Sequence, residues 1–580
     1  MSPRSRTLVF GAIFALLVAV GVVLTQAALP IDANTPCSTS LTPAEFNSWF
    51  ASGVVTLDGL VKPADSVLFP NIPNCSFYKW SEQMFLWLTS PAPPSYGGGG
   101  GGLVMTSPIF FDVSLPDASG HRHFLPLTAG TIKTFNLRDS QLGILDLPIV
   151  LEKGSLRVLE VIPPVLSPAG NPLVADADDN EVEVGGVQVK PGSQPVLFDL
   201  HGKEIRSPRA LLRPKEETTP RPFEQRLAKI DRLDKEAGLQ GFDLSELVAK
   251  ITVDDTVVFL DLFGSFAETE QGQADGGVLM AQNGSLVYYA LSVNNVFALY
   301  RTMLGATVPA GTMFPTTQPE LDAIIAFAAA NGMAPVIDSE ALAIEIKTSW
   351  VEAASLPNPH EYIQVKGVVP EYDKSNPHDW VPIGTKTIDL AMVGLHVVGS
   401  TAGHPEMLWG TFEHIENNPA ATYNYAKIPS GTTTVPQNTL GSWVFCAGGS
   451  TGPFNQKHME MGSAGHIVSV GSFTISPSDI LRIKPWGLNG PNAFGNAEVL
   501  SINHTVRSLL DPMDVRRNYF HEGTTWTIGG ASPTGTNQVG TNILANTTME
   551  TFVQGNNCFA CHVTNTTVVS HIFDDTDPLF

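Results

Sequence analysis

Apolar positions along the chain repeat first at helical and then at strand intervals. "LTPAEFNSWFASG" predicts a helix, with Thr42 as N-cap, Pro43 at the first helical position, Glu45 closing a capping box and Gly53 past the end. "SEQMFLWLTS", carrying Met84, Phe85, Trp87 and Leu88, predicts a second helix. From Leu103 to about Phe198, β-branched and apolar residues alternate with polar ones and are interrupted by Gly, Pro and Asp, as in "EVEVGGVQVKPG", which predicts strands and turns. "GGVLMAQNGSLVYYAL" adds a hairpin at Asn283-Gly284. "QPELDAIIAFAAANG" predicts a helix ending at Gly332, and "LAIEIKTSWVEA" returns to strand alternation.

The most apolar stretch runs from Thr387 to Asn418 and predicts two buried strands joined by a polar loop. Alternation places His396 on one face with Met392 and Val398. It places His414 with Leu408 and Phe412, and Glu413 with Met407 and Trp409. Further on, "AEVLSINHTVRSLL" and "DPMDVRRNYFH" predict helices, a loop rich in Gly and Thr follows, and "ILANTTMETFVQ" predicts a last helix. The expected class is α+β, with a β-dominant body and helices near both ends.

The glycine run Gly97–Gly102 has too much backbone freedom to order itself and offers the one credible break. The expected organisation is a leader over 1–27, an N-terminal helical segment over 28–96, a linker over 97–102, a β-rich body over 103–540, and a C-terminal segment over 541–580 packed on that body. The charged stretch whose helix starts near Pro220 and Pro222 reads as a solvated surface insertion.

At 580 residues and 43% hydrophobic content the chain can bury a large core. Its net charge of −23 argues against nucleic acid and against anionic lipid surfaces. Arg4 and Arg6 precede an apolar run from Leu8 to Leu24, and "TQA" then offers small residues for cleavage. The segment therefore reads as an export signal, either removed or kept as an uncleaved anchor, and the body is expected in the periplasm or outside the cell. Membrane contact is expected through that segment alone. In such a compartment Cys37 and Cys75 can pair, while Cys446 reads as a buried core thiol.

The most specific chemistry lies at Cys558, Cys561 and His562. This C-x-x-C-H spacing lets two thiols bond to haem vinyl groups while the adjacent imidazole turns to the iron. A zinc site completed by His571, or a redox disulfide, are the other readings of the same residues. No methionine follows His562, so a small cytochrome c domain with a downstream methionine ligand cannot follow the motif. The haem is expected to pack against the preceding body, with His571, His396 or His414 as candidate sixth ligands. If that position is open, Glu413 or His414 is the candidate acid or base beside the iron.

Weaker patterns add little. Asp176, Asp178 and Asn180 alternate as in a calcium loop, but Glu181 stands where glycine is needed and Val187 where the bidentate glutamate is needed, so a turn is expected. His121 and His123 form a metal-capable pair without a third ligand in view, and "KHMEMG" reads as a packed strand. There is no phosphate loop or dinucleotide fingerprint.

The chain resembles exported bacterial monohaem proteins of the cytochrome c family that carry a C-terminal C-x-x-C-H. The matching blocks are "YKWSEQMFLWLTSP", "VGLHVVGS", "LWGTFEHIENNP", "LANTTMETFVQGNNCFACH" and "SHIF", spread from about Tyr78 to Phe573. The resemblance implies a haem and an export route but carries no settled reaction. The expectation is one covalent haem c serving electron transfer with a redox partner protein. The alternatives are a haem-dependent oxidoreductase, peroxidase- or oxygenase-like, acting on a small oxidant, and a haem sensor or structural protein.

Overall fold

The computed structural model describes residues 30–33, 41–71, 74–97, 102–115, 121–130, 132–137, 149–152, 158–162, 164–189, 194–211, 247–253, 256–267, 269–270, 277–309, 311–338, 340–462, 465–487, 494–534, 536–555, 558–562, 569–570 and 572–580. The leader, the charged stretch near Pro220, Cys37 and His571 lie outside them. Among the described residues, no helix is long and apolar enough to cross a membrane.

The principal elements are helix α1 (Pro43–Trp49), helix α2 (Cys75–Leu88), strands β1 (Phe110–Val113), β2 (Phe124–Pro126) and β3 (Tyr288–Asn294), and helices α3 (Asn295–Met303) and α4 (Gln318–Ala330). Strands β4 (Ile344–Glu352), β5 (Gln364–Asp373), β6 (Asp379–Thr401) and β7 (His404–His414) follow. Helix α5 (Phe494–Leu509), strands β8 (Tyr519–Thr527) and β9 (Gln538–Gly540), and the single turn α6 (Cys558–Cys561) complete the set. The β-dominant α+β class expected from the sequence is what the chain adopts.

A 12-stranded sheet forms the frame, running β2-β1-β3-β4-β6-β7-β8-β9 with β5 paired to the first half of β6. The β6–β7 hairpin closes with Thr401 opposite His404, and Gly403 between them sits at φ +78, a left-handed turn that glycine supplies without a Cβ clash. One face of the central strands is covered by α2 and α5: Phe85 stacks on Phe412, and the ring of Trp80 fills the space above Gly399. The other face is covered in part by residues 541–555, which lay Asn546, Thr547 and Thr548 across it. The terminal segment thus packs on the body, as expected.

A β-bulge redirects β6. Ser349 pairs with Gly394 while its neighbour Trp350 pairs with Met392, so Val393 is left without an opposite number. Met392 consequently joins the core under α2, whereas Val393 joins a separate core with Val444 and Phe445. His396 therefore does not share a face with Met392, as strict alternation predicts; it shares one with Trp409 and Thr411.

The described residues between 149 and 270 build a smaller β module with its own core, including Ile162, Val174, Leu197, Leu247 and Leu260. It consists of a six-stranded and a four-stranded sheet. The turn expected at Asp176 is present: Asp176 Oδ1 accepts from the backbone of Asp178 and Asn180, both at 2.9 Å. The hairpin at Asn283-Gly284 is present too, with Gly284 at φ +86.

Three expectations give way. The glycine run does not separate packed units, because its flanks are tied together by Ala92 N–H to Gly102 O at 2.8 Å and Val104 N–H to Ser90 O at 2.9 Å. Phe46 and Trp87 before it share a core with Val104 and Phe110 after it. "DPMDVRRNYFH" makes only a short 3-10 turn before entering β8, where the β-branched and aromatic run from Tyr519 to Thr527 is buried throughout. "ILANTTMETFVQ" forms turns in place of a helix. Its Asn and Thr side chains are spent on the sheet and on local backbone, as in Asn546 Oδ1 accepting from Thr548 N–H at 3.0 Å.

Candidate functional site

The motif occupies the helical turn α6, closed by His562 N–H to Cys558 O at 3.0 Å. A turn of this kind places residues three apart on one side, which brings Cys558 and Cys561 to the same edge with His562 next to them. The Cys558 thiol donates to Leu544 O at 2.8 Å, and Phe559 is fully buried. The side chain of Cys561 lies outside the described residues.

His562 is buried, and its Nδ1 lies 2.6 Å from the carbonyl oxygen of Val569. A carbonyl only accepts, so the ring hydrogen sits on Nδ1 and Nε2 keeps its lone pair, the tautomer that a metal-ligating imidazole requires. Val569 is anchored in turn by its N–H to Glu406 O at 3.1 Å, on β7. Around the motif, Phe559, Leu544, Val569, Phe573, Met407 and Trp409 share one apolar cluster.

Trp409 is the aromatic ring packed on His562, with centroids 4.4 Å apart and planes at 74°. Its Nε1–H donates to His396 Nδ1 at 3.1 Å, a nitrogen also 2.9 Å from Thr411 Oγ1. His396 Nε2 lies 3.2 Å from Glu550 Oε1. Both nitrogens of His396 are therefore engaged, and neither is presented to the motif.

The other expected residues are dispersed. Glu413, fully buried, is paired with Arg482 at 2.6 Å and accepts from the backbone N–H of Thr547 and from its hydroxyl. Arg482 also donates to Glu522 at 2.8 Å. Burial first, then the neighbouring Glu413, pushes the Glu522 carboxyl well above its usual range. His414 points to the opposite face, stacked on Tyr362 at 3.7 Å, with Nε2 3.2 Å from Glu361 O. Burial pushes the His414 pKa down to about 3 and keeps it neutral. The structure thus does not bring Glu413 and His414 together, and it places His414 away from the motif.

Outside the motif, His121 Nδ1 lies 2.7 Å and His123 Nδ1 3.5 Å from the two carboxylate oxygens of Asp577, yet no group of three or more His, Cys, Asp or Glu among the described residues is arranged to hold a bare metal ion. "KHMEMG" is a packed strand, with Met459 buried and His458 stacked on Phe473 at 4.0 Å. Cys75 is disulfide-bonded and Cys446 is a buried thiol.

Sequence reasoning did not single out Trp409, Glu550 or Val569. Trp409 stands two residues from Thr411 on the same face, so alternation carried a signal for it. The contacts of Glu550 and Val569 depend on how an irregular segment lies on the sheet, which no spacing encodes. Comparison of the chain with protein-family models, with curated proteins and with solved structures finds no match.

Proposed function

We propose that this chain is an exported c-type haem protein that holds one covalent haem through Cys558, Cys561 and His562 and serves in electron transfer. The observation that carries the reading is the His562 imidazole: buried, with Nδ1 bonded to Val569 O, it sits among apolar side chains directly after the helical turn of the motif. These residues fit a haem. The thiol positions would tether its edge, His562 Nε2 would face the iron, and Phe559, Val569 and Phe573 would exclude water from the macrocycle. Bound there, haem would supply one-electron cycling of its iron. The resemblance to exported monohaem proteins supports the same reading, and the disulfide at Cys75 supports an oxidising compartment. Partners would be a redox protein or a small oxidant.

A second reading, an oxidoreductase with an open sixth position, is favoured by one observation. His396 spends both nitrogens on Trp409, Thr411 and Glu550, and His414 lies on the other face of the sheet. The remaining candidate among the expected ligands, His571, lies outside the described residues.

The test is expression with a c-type maturation system followed by a pyridine haemochrome spectrum and carbon monoxide addition. A c-type haemochrome lost in Cys558→Ser and Cys561→Ser is expected; its absence from the properly matured native chain would overturn the reading in favour of zinc or a redox disulfide. An unchanged spectrum under carbon monoxide assigns electron transfer, and prompt binding assigns the second reading.

A further inference from the structure

We propose that Trp409 is the redox-active side chain of this site, giving one electron to the haem while its indole proton passes to His396. The inference rests on the covalent haem at Cys558, Cys561 and His562 and deepens the oxidoreductase reading by naming its electron relay and its substrate class, a hydroperoxide.

The geometry carries it. The indole is in ring contact with the imidazole of His562, at 4.4 Å between centroids, so electronic coupling to the iron's ligand needs no intervening group. An oxidised indole is a much stronger acid than indole itself, and losing its electron is easiest where a base receives the proton. That base is in place: His396 Nδ1 accepts the indole N–H at 3.1 Å. Because Nδ1 is the acceptor, the ring hydrogen of neutral His396 sits on Nε2 and is directed at Glu550 Oε1, 3.2 Å away. Burial works against ionising Glu550, but His396, Lys347 and the N–H of Asn546 outweigh it and hold the carboxyl below its usual range. With 25% of its side chain exposed, Glu550 joins the buried pair to solvent.

Three other buried tryptophans satisfy their N–H differently. Trp80 donates to Ser66 Oγ, Trp87 to Tyr96 OH and Trp350 to Thr348 Oγ1. A hydroxyl is sufficient to satisfy an indole. Trp409 instead has a basic nitrogen backed by a carboxylate, and it is the tryptophan beside the motif histidine.

Reduction of the hydroperoxide to water and an alcohol, or to two waters, breaks its O–O bond and takes two electrons and two protons; a haem held by Cys558, Cys561 and His562 would supply one electron, the Trp409 indole gives the other, and the protons come from solvent. The indole Nε1 proton moves to Nδ1 of His396, and the Glu550 carboxylate balances the resulting imidazolium. Two one-electron transfers from a donor at the surface would then restore the haem and Trp409, which takes its proton back from His396.

The experiment mixes the matured, haemochrome-positive protein, labelled with ring-deuterated tryptophan, with hydrogen peroxide, freezes it within milliseconds and records electron paramagnetic resonance. The expected result is an organic radical whose hyperfine structure narrows with the label, without exchangeable N–H coupling, and lost in Trp409→Phe. In His396→Leu the radical should keep its proton, so an N–H coupling that disappears in deuterium oxide should emerge. A native protein without c-type haem would overturn the attachment reading and the relay with it. Haem present with no tryptophan radical, with one that survives Trp409→Phe, or with no change in His396→Leu, would overturn the relay alone.

Discussion

Glu413 shows what one buried carboxylate requires in this fold. Its oxygens are taken up by Arg482, by the hydroxyl and N–H of Thr547 and by Asn417, so it clamps the C-terminal segment to β7. Removing one member of such a pair leaves an uncompensated charge, and Glu413→Ala is expected to cost about 3–5 kcal/mol, read as a lowered urea midpoint. Alternation placed Glu413 on the face of Trp409, but its partner Arg482 lies 69 residues away in sequence and no local pattern announced it. His414, one residue on, makes a different demand. Held neutral by burial with a pKa near 3, it takes up a proton on unfolding once the pH drops below its ordinary 6.5, so its contribution to stability is lost as pH falls from about 6.5 towards 3. In His414→Gln the acid limb of the urea midpoint against pH should be shallower by up to one proton; an unchanged limb would remove His414 from the account.

Among the elements, the layer between α2, α5 and β8 holds the least expected chemistry. Glu82 on α2 and His521 on β8 face each other at 3.6 Å, and among the described residues neither Glu82 Oε1 nor His521 Nδ1 has a hydrogen-bond partner. Burial pushes the Glu82 pKa up to about 8 and the His521 pKa down to about 3, so both are neutral at neutral pH. The folded state keeps the Glu82 proton while the unfolded chain releases it above pH 4.5, so stability falls as pH rises from 4.5 to about 8. Glu82→Gln should flatten that window and raise the urea midpoint at pH 8 relative to pH 5, compared with the native chain. Nothing in the sequence flagged this pair, because "DPMDVRRNYFH" was read at helical period and its last residues belong to a strand. The same wrong period produced a helix over "ILANTTMETFVQ", where Asn and Thr side chains tie the backbone to the sheet. The helices with clean signals did form: Thr42 caps α1 by accepting Glu45 N–H at 3.2 Å, although the Glu45 carboxylate turns to Lys79 at 2.8 Å.

At the scale of the molecule, the β-dominant class was legible from alternating strands, and the order of the sheet was not. Its neighbours β3, β4, β6, β7 and β8 are joined by pairings that run from Tyr288 to Thr527, and only the turn-linked hairpins among them leave a local trace. The body expected as one unit over 103–540 contains more than one core, that of the described residues between 149 and 270 among them, and the described contacts of that module with the main body include isolated links such as Lys250 to Glu460 at 3.5 Å. Hydrogen exchange should show the amides of 247–261 opening at a lower free energy than those of β6, β7 and β8. Exchange of both sets in one cooperative step would instead mean that the small module unfolds only with the whole.

The unpaired Val393 also governs a property that composition does not describe. It lets β6 carry one residue more than β4 without changing the pairing on either side, so deleting Val393 would close the bulge into a regular ladder, with Trp350 opposite Met392 and Ser349 opposite Gly394 as before. His396 would keep its side of the sheet with Trp409, and Leu395 its side with α2, while the core that holds Val444 and Phe445 would lose the Val393 side chain. Chain length and side-chain orientation are thus uncoupled at this one position, and deletion of Val393 should leave the Trp409–His396 contact in place while loosening the core around Val444 and Phe445.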